Sequence, residues 1–336
     1  MTSRFGAAIL GCAGPRLSGA ERRFFGDVNP FGFILFNRNL EDGDQIRALC
    51  ADLRAAVGWQ APVFIDQEGG RVQRLRPPLA RDWPAPLDHV AQYGNHAGRA
   101  MYLRYRIIAA ELLALGIDGN CAPMLDVARP ETHAFLRNRC YGETVARVVE
   151  IGRAVAQAHL DGGVLPVVKH IPGHGLAQLD SHLALPRITA AADTLHAVDF
   201  AAFTPFSDLP LGMTAHLVYD AFDGQPATTS ARMMRMIRED LGFAGMIMTD
   251  DISMQALSGT IPERGAASLA AGCDIVLHCN GDMSEMLPLM RRIGHLSDAA
   301  QTRAEAALAA RPQAPEVDIA ALAAQLEALP EERADD

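Results

Sequence analysis

The sequence predicts a closed (β/α)8 barrel that forms a single domain. Short, almost entirely apolar segments of strand length alternate with longer segments of helical periodicity. Strands without polar–apolar alternation are typical of a parallel sheet that is covered on both faces. The chain has 336 residues, 49% of them hydrophobic, and barrels of this kind often use such a length as one domain. The alternative is an open doubly wound sheet, but the Gly-Cys-Ala-Gly-Pro sequence at 11–15 lacks the spacing of a dinucleotide-binding loop.

Eight strand segments are predicted, which is the number that closes this barrel. They span 7–12, 32–36, 62–65, 117–121, 164–168, 212–216, 246–248 and 274–277. Helical segments separate most of them, at 45–57, 100–115, 144–161, 190–206, 230–241 and 261–271. Because strand and helix alternate along the chain, we expect the helices to surround a parallel sheet.

The composition changes after residue 297, where Ala, Glu and Arg dominate. Two short helices are predicted there, at 299–310 and 319–329, with Pro312 and Pro315 between them. Both are too short to form a domain of their own. We therefore expect a barrel over 1–297, followed by a helical extension and a frayed acidic tail over 298–336.

Composition argues against several classes of protein. The formal net charge is −10, from 30 basic and 40 acidic residues, and without a basic stripe nucleic acid is not an expected partner. No apolar run is long enough to cross a bilayer, and the N-terminus lacks the pattern of a secretory signal. Six cysteines are scattered without a Cys-x-x-Cys pair, which is typical of buried, reduced thiols. We expect a cytoplasmic monomer with no membrane partner.

The most informative segment begins at the end of the fifth predicted strand. A tight loop rich in Pro and Gly is predicted after it, and titratable side chains crowd this stretch: Lys169, His170, His174, Asp180 and His182. Barrel enzymes build their active sites from such loops at the C-terminal ends of strands. Asp180 and His182 have the spacing of a carboxylate that orients an imidazole for proton transfer. Each residue alone could be an ordinary core or surface side chain, so it is their concentration that favours a catalytic site.

The seventh predicted strand ends in two adjacent carboxylates, Asp250 and Asp251. Successive side chains of a strand point to opposite faces, so only one of them is expected to face the interior of the barrel. Either could instead cap the helix that follows, and we expect Asp251 to be closer to that role. A strand-end carboxylate in a barrel is suited to nucleophilic attack on a sugar.

Several motifs together resemble glycoside hydrolase family 3, and more narrowly its single-domain bacterial β-N-acetylhexosaminidases. The clearest is Lys-His-Ile-Pro-Gly-His-Gly at 169–175, followed by Asp-Ser-His at 180–182. Further segments occur in the expected order: 66–74 (Asp-Gln-Glu-Gly-Gly-Arg-Val-Gln-Arg), 122–127 (Ala-Pro-Met-Leu-Asp-Val), 139–142 (Arg-Cys-Tyr-Gly) and 249–254 (Thr-Asp-Asp-Ile-Ser-Met). The resemblance extends over residues 5–300.

The resemblance implies a retaining exo-β-N-acetylglucosaminidase that acts on muropeptides in cell-wall recycling. It implies that Asp250 is the nucleophile, and that His182, oriented by Asp180, is the general acid/base. It further implies that sugar is bound by a set of residues contributed by several strand ends: Asp66, Arg74, Arg139, Lys169, His170, His174 and Met254. Arg71 or Arg74 could instead pair with Glu68. In this chain Leu176 and Ala177 occupy positions where many relatives have Asp-Thr, which leaves the resting conformation of the loop open.

Other functions compete with this interpretation. A family 3 β-glucosidase generally takes its acid/base from a second domain and lacks the Asp-x-His loop. Phosphorolysis is a closer alternative, because a histidine base carries no negative charge to repel phosphate. A metal-dependent barrel hydrolase would use several of the 11 histidines, but no His-x-His follows the first strand and no His-Glu-x-x-His helix is present. A sugar-binding protein without activity would not require Asp250 or His182. We expect no metal and no organic cofactor.

Overall fold

Eight parallel strands close into a barrel in the computed structural model, which describes residues 4–179, 185–311, 313 and 317–330. The strands are β1 Gly6–Gly11, β2 Pro30–Leu35, β3 Val63–Ile65, β4 Gly119–Asn120, β5 Leu165–Ile171, β6 Leu211–Thr214, β7 Met246–Asp251 and β8 Ile275–His278. Each strand pairs with its neighbours in sequence, and β8 returns to β1 with Val276 opposite Ala8. The predicted fold class and all eight predicted strands are confirmed.

The strand ends differ from prediction where function is concentrated. The fifth strand was predicted to stop at Val168, but β5 continues through Lys169 and His170 to Ile171. Likewise, β7 continues through both Asp250 and Asp251. The polar side chains at these positions prevented the prediction of the full strands, because a buried strand is recognised in a sequence by an apolar run.

The barrel interior is filled by large apolar side chains from alternating strand positions, among them Ile9, Phe64 and Met246. Phe64 fits because its neighbour on β4 is Gly119, where a Cβ would lie 2.2 Å from the Phe64 ring. Any larger residue at 119 would therefore displace an interior ring, which is costly in a close-packed core.

Helices surround the barrel. They are α1 Gly19–Val28, α2 Gly43–Val57, α3 Pro86–Tyr93, α4 Ala97–Ala114, α5 Ala134–Arg137, α6 Val145–Asp161, α7 Ala192–Thr194, α8 Ala231–Glu239, α9 Ile261–Ala271, α10 Met283–Ile293, α11 Asp298–Ala309 and α12 Ile319–Glu327. The segment predicted as one helix over 190–206 is instead α7, a π-helical turn Leu195–Phe200 and a 3-10 turn Thr204–Phe206. Sequence analysis missed α1, α3, α5 and α10, although α1 carries a capping box in which Ser18 and Glu21 bond each other's backbone.

Helix α11 packs against the barrel at the end opposite the carboxyl ends of the strands, whereas α12 packs against α4. Three alanines of α11 are buried with the interior core. Arg303 of α11 donates to Asp274 at 2.8 Å, and Arg311 donates to Asp118 at 2.6 Å. These aspartates directly precede β8 and β4, so α11 covers the N-terminal end of the barrel. The division of the chain at residue 297 stays a prediction.

Two general features bear on the setting of the protein. All six cysteines are buried and unpaired with one another. Among the helices in the described ranges, none combines the length and apolar character needed to cross a membrane.

Candidate active site

A polar cavity of about 240 Å³ opens at the carboxyl ends of the barrel strands. Its lining comes mainly from strand ends: Ile34, Phe36, Asp66, Arg71, Val72, Arg74, Arg139, Lys169, His170, Met213, Asp250, Asp251, Leu277 and Cys279. Six of the ten predicted site residues are among them, namely Asp66, Arg74, Arg139, Lys169, His170 and Asp250. The fold thus brings together side chains from distant parts of the sequence, from Asp66 to Asp250.

One side of the cavity is an ion-pair cluster. Asp66, just after β3, accepts from Arg74 at 2.9 Å and from Lys169 at 3.2 Å. Glu68 accepts a bidentate pair of hydrogen bonds from Arg139, at 2.9 and 2.8 Å, and its Oε1 lies 2.6 Å from the Lys169 ammonium. The possible pairing of Arg71 or Arg74 with Glu68 is therefore wrong, because Arg139 takes that place.

The cluster fixes the charge of its members. Burial alone would raise the pKa of Asp66, but Lys169 and Arg74 hold it well below its ordinary value. The pKa of Glu68 is likewise lowered to about 2, because Arg139 and Lys169 outweigh the effect of burial. Burial would lower the pKa of Lys169, yet Glu68 and Asp66 raise it above its ordinary value. Asp66 and Glu68 are therefore carboxylates at neutral pH, and Lys169 is an ammonium.

The two aspartates at the end of β7 have different partners. The Asp251 carboxylate accepts from the Ser253 hydroxyl at 2.5 Å, from the Ser253 N–H at 3.1 Å and from the Cys279 N–H at 3.2 Å. The Asp250 carboxylate accepts only one hydrogen bond within the described part of the chain, from the Asp251 N–H to Oδ1 at 2.8 Å. Asp250 Oδ2 therefore has no hydrogen-bond partner among the described residues and can react with a substrate, whereas both carboxylate oxygens of Asp251 already accept hydrogen bonds.

Asp251 does not cap a helix as expected. The next helix, α9, begins only at Ile261, and its N-terminus is capped by Thr260 with Glu263 in a capping box. Asp251 instead joins the end of β7 to the end of β8 through the Cys279 N–H.

The electrostatic surroundings keep Asp250 ionised. Burial raises its pKa, but His170, the hydrogen bond from the Asp251 N–H and Lys169 shift it in the opposite direction, and the net result is a pKa below the ordinary value. A carboxylate that is ionised, partly shielded and only singly hydrogen-bonded is a competent nucleophile.

A buried carboxylate organises the two histidines at the start of the loop after β5. Asp126 accepts from His170 Nδ1 at 2.7 Å and from the His174 backbone N–H at 2.6 Å. Burial would raise the pKa of Asp126, but His170 outweighs this effect, so the pKa lies below its ordinary value. Burial also lowers the pKa of His174 to about 4, so its imidazole is neutral at pH 7. His174 and Met254 are buried and are not among the residues that line the cavity.

Asp180 and His182 lie outside the described residues. The loop that leads to them is anchored at its base, where the Gly173 carbonyl accepts from the Tyr219 hydroxyl at 2.5 Å and the Gly175 carbonyl accepts from Thr132 at 2.6 Å. Ala177, at one of the positions that departs from the family pattern, is fully buried.

Sequence analysis missed two residues beside the site. Glu68 stands within a recognised motif, but its partner Arg139 is 71 positions away in the chain, and no spacing rule predicts that pairing. His216 follows the end of β6, and its Nε2 is hydrogen-bonded to the backbone carbonyl of Asp251, the residue next to Asp250. Its signal was the same as for the other site residues, a polar side chain at the end of an apolar strand.

The donor set of the described residues does not suit a metal ion. Across residues 4–179, 185–311, 313 and 317–330 there is no group of three His, Cys, Asp or Glu side chains arranged to hold one. The carboxylates of the cluster are already neutralised by Lys169, Arg74 and Arg139.

Comparison with known proteins gives a consistent result. The Glycosyl hydrolase family 3 N terminal domain matches residues 18–310. A β-hexosaminidase from Alkalilimnicola ehrlichii is 37% identical over 301 residues, covering 87% of this chain and 85% of its own. The crystal structure of NagZ from Neisseria gonorrhoeae in complex with N-trifluoroacetyl-D-glucosamine superposes with a TM-score of 0.84 at 30% identity, over 97% of this chain and 98% of the other. A family 3 β-N-acetylglucosaminidase from Paenibacillus sp. also gives a TM-score of 0.84, at 27% identity, over 95% of this chain and 66% of the other.

Proposed function

Because the chain belongs to glycosyl hydrolase family 3, we propose that it is a retaining exo-β-N-acetylglucosaminidase with Asp250 as its nucleophile. The chain is a glycoside hydrolase of the β-N-acetylhexosaminidase type, as its relatives are named. The substrate, the mechanism and the roles of Asp180 and His182 are inferred from the family resemblance, and the roles of the remaining residues are inferred from the site.

The observation that carries the proposal is the state of Asp250. Its carboxylate lies in the cavity with a lowered pKa, and Oδ2 is free of hydrogen bonds to the described residues. A retaining glycosidase needs such a group to form a glycosyl-enzyme. The cavity volume of about 240 Å³ is below the roughly 300–1,000 Å³ of pockets for drug-sized ligands. A pocket of that size suits one terminal sugar and therefore exo cleavage.

The proposed reaction has two steps. In the first, Asp250 Oδ2 attacks the anomeric carbon while His182 gives its proton to the leaving oxygen, so that the glycosidic bond breaks as the ester bond forms. In the second, His182 takes a proton from water, whose oxygen displaces the carboxylate and releases the sugar with its original configuration. The family resemblance assigns to Asp180 the role of accepting the other N–H of the His182 ring, which would fix the tautomer of the imidazole.

The ion-pair cluster is proposed to hold the sugar. Asp66 is a permanent carboxylate and is suited to accept hydrogen bonds from ring hydroxyls, whereas Lys169 and Arg139 are permanent donors. His170, with Nδ1 committed to Asp126, is left with Nε2 for the substrate. We place Arg74 beside Asp66 as an orienting partner. His174 and Met254 are assigned to the walls behind the site.

The biological setting is a further part of the proposal. The six free, buried thiols fit a reducing compartment, so we place the protein in the cytoplasm, as a monomer acting on muropeptides during cell-wall recycling. Such substrates present a terminal β-linked N-acetylglucosamine, which a single-sugar pocket accepts.

The test compares release of the phenol from an aryl N-acetyl-β-glucosaminide and from the matching aryl β-glucoside, with and without phosphate. We expect the acetamido substrate to be strongly preferred, with free N-acetylglucosamine as product. Preference for the glucoside would overturn the sugar assignment. Sugar 1-phosphate as the main product would establish the phosphorylase alternative.

A further inference from the structure

His216 lies behind the candidate nucleophile without touching the cavity. It follows β6 and is only 1% exposed. Its Nε2 lies 3.1 Å from the backbone carbonyl of Asp251, and its Nδ1 lies 2.7 Å from the Thr228 hydroxyl. The Thr228 hydroxyl in turn lies 2.8 Å from that of Thr214. The ring therefore joins β6 to the end of β7.

The hydrogen bonds fix the tautomer of this imidazole. A carbonyl oxygen can only accept, so His216 Nε2 must carry a proton. Burial lowers the pKa of His216, which leaves the ring neutral at pH 7 and makes Nδ1 an acceptor. Thr228 then gives its single hydroxyl proton to Nδ1 at 2.7 Å rather than to the Ala215 carbonyl, which lies farther away at 3.1 Å, and its oxygen accepts from Thr214. The hydrogen bonds therefore all run in one direction, from Thr214 to Thr228, from Thr228 to His216, and from His216 to the Asp251 carbonyl.

Asp251 is consequently held from three directions. Its carbonyl is bound by His216, and its carboxylate is bound by Ser253 and by the Cys279 N–H after β8. Its own N–H is left to donate to Asp250 Oδ1 at 2.8 Å. A carboxylate that receives one directed N–H bond is fixed in rotation, with its second oxygen pointing away from that donor.

We propose that His216 is a positioning residue for glycosyl transfer: by bonding the Asp251 carbonyl it fixes the backbone of Asp251, so that the Asp251 N–H aims Asp250 Oδ2 at the anomeric carbon. This inference rests on the proposed function, because it takes Asp250 as the nucleophile. His216 contributes no proton and no contact with the sugar. Its effect is on the geometry of attack, where a displacement of about 1 Å can cost on the order of 100-fold in rate.

A matched pair of substitutions isolates the hydrogen bond. His216→Gln keeps an N–H donor near the position of Nε2, whereas His216→Met has a similar volume and no donor. The measurement is the rate at which a slow fluorinated N-acetylglucosamine donor labels Asp250, followed by peptide mass spectrometry, together with the Kd for N-acetylglucosamine. We expect His216→Met to slow labelling by roughly 10- to 100-fold with Kd nearly unchanged, and His216→Gln to recover most of the rate.

The control is His278→Ala, which removes another buried histidine at a strand end. His278 bonds Glu285 on α10, and its neighbour Leu277 lines the cavity, so the His278 side chain faces away from the site. We expect lower thermal stability and an unchanged labelling rate. If the role of His216 were purely structural, the His216 variants would likewise show lower thermal stability with an unchanged labelling rate.

Four results separate the possible failures. Wild-type labelling rates in His216→Met, or equal losses in the Met and Gln variants, would overturn the positioning role. Should His216→Met not fold, Thr228→Val removes the donor to Nδ1 without changing the ring, and a wild-type rate in that variant would count equally against the proposal. Absence of label on Asp250 in the wild-type protein would instead refute the proposed function itself.

Discussion

Replacing Glu68 by Gln is expected to destabilise the fold and to weaken sugar binding. Glu68 is 1% exposed at its side chain and neutralises both Arg139 and Lys169, which are themselves buried. A Gln amide keeps the shape but carries no charge, and its NH2 group would face a cationic donor. Arg139 and Lys169 would then depend on Asp66, which Arg74 already pairs, and on more distant carboxylates such as Asp126.

The magnitude follows from the ion pairs. Removing one partner of a buried pair costs about 3–5 kcal/mol. The lowering of the Glu68 pKa from 4.5 to about 2 gives a similar figure, about 3 kcal/mol at 1.36 kcal/mol per unit. With an unfolding entropy of roughly 2.1 cal/mol/K per residue, the 336-residue chain would lose about 4–7 °C in Tm.

The pH dependence has a definite sign. The folded pKa of Glu68 is below the unfolded value, so its contribution to stability is fully present above pH 4.5 and is lost as pH falls toward about 2. The difference in unfolding free energy between wild type and Glu68→Gln should therefore be constant near neutral pH and shrink between pH 4.5 and 2.

The assay is denaturant unfolding across this pH range, with KM for an aryl N-acetyl-β-glucosaminide measured at neutral pH. Glu21→Gln is the control, since Glu21 is also buried, but among the described residues its carboxylate bonds only Ser18 and the Ala13 N–H. Loss of that capping interaction should cost about 1 kcal/mol and leave KM unchanged. A Glu68→Gln variant as stable as wild type at pH 7, or a difference that grows on acidification, would refute the reasoning.

Two further predictions concern the chemistry. His182→Ala should lower the glycosylation rate on a natural disaccharide by a factor on the order of 10² to 10⁴, but much less on an activated aryl glycoside, whose phenolate leaves unaided. Asp180→Ala should give a smaller loss with the same dependence on the leaving group. Equal losses on every leaving group would mean that His182 only binds or packs. Exhaustive chelation should leave activity intact, because Lys169 and Arg139 already neutralise the carboxylates that a metal would need; activity lost to EDTA and restored by zinc or manganese would contradict this.

The fold was accessible from sequence because parallel barrel strands are buried on both faces. Such strands appear as short apolar runs, and each of the eight runs is a strand of the barrel. The limits of β5 and β7 were not accessible, because Lys169, His170, Asp250 and Asp251 continue these strands with polar side chains. A functional strand end thus breaks the pattern by which strands are recognised.

The site was accessible only in part. Strand-end position indicated which residues meet at the cavity, but not which cation neutralises which carboxylate. The pairing of Glu68 with Arg139, and the occupation of Asp251 by Ser253 and the Cys279 N–H, depend on loops whose course no periodicity determines. His216 was overlooked because it occurs in no recognised motif, although it stands beyond an apolar strand as Asp66 does.

Covalent trapping tests the central claim most directly. A slow fluorinated N-acetylglucosamine donor is incubated with the protein, and the labelled peptide is sequenced by mass spectrometry, with Asp250→Ala and Asp251→Asn as parallel variants. The account predicts one sugar on Asp250 in the wild type and in Asp251→Asn, and none in Asp250→Ala. Label on Asp251, or turnover with inverted configuration and no label, would contradict it.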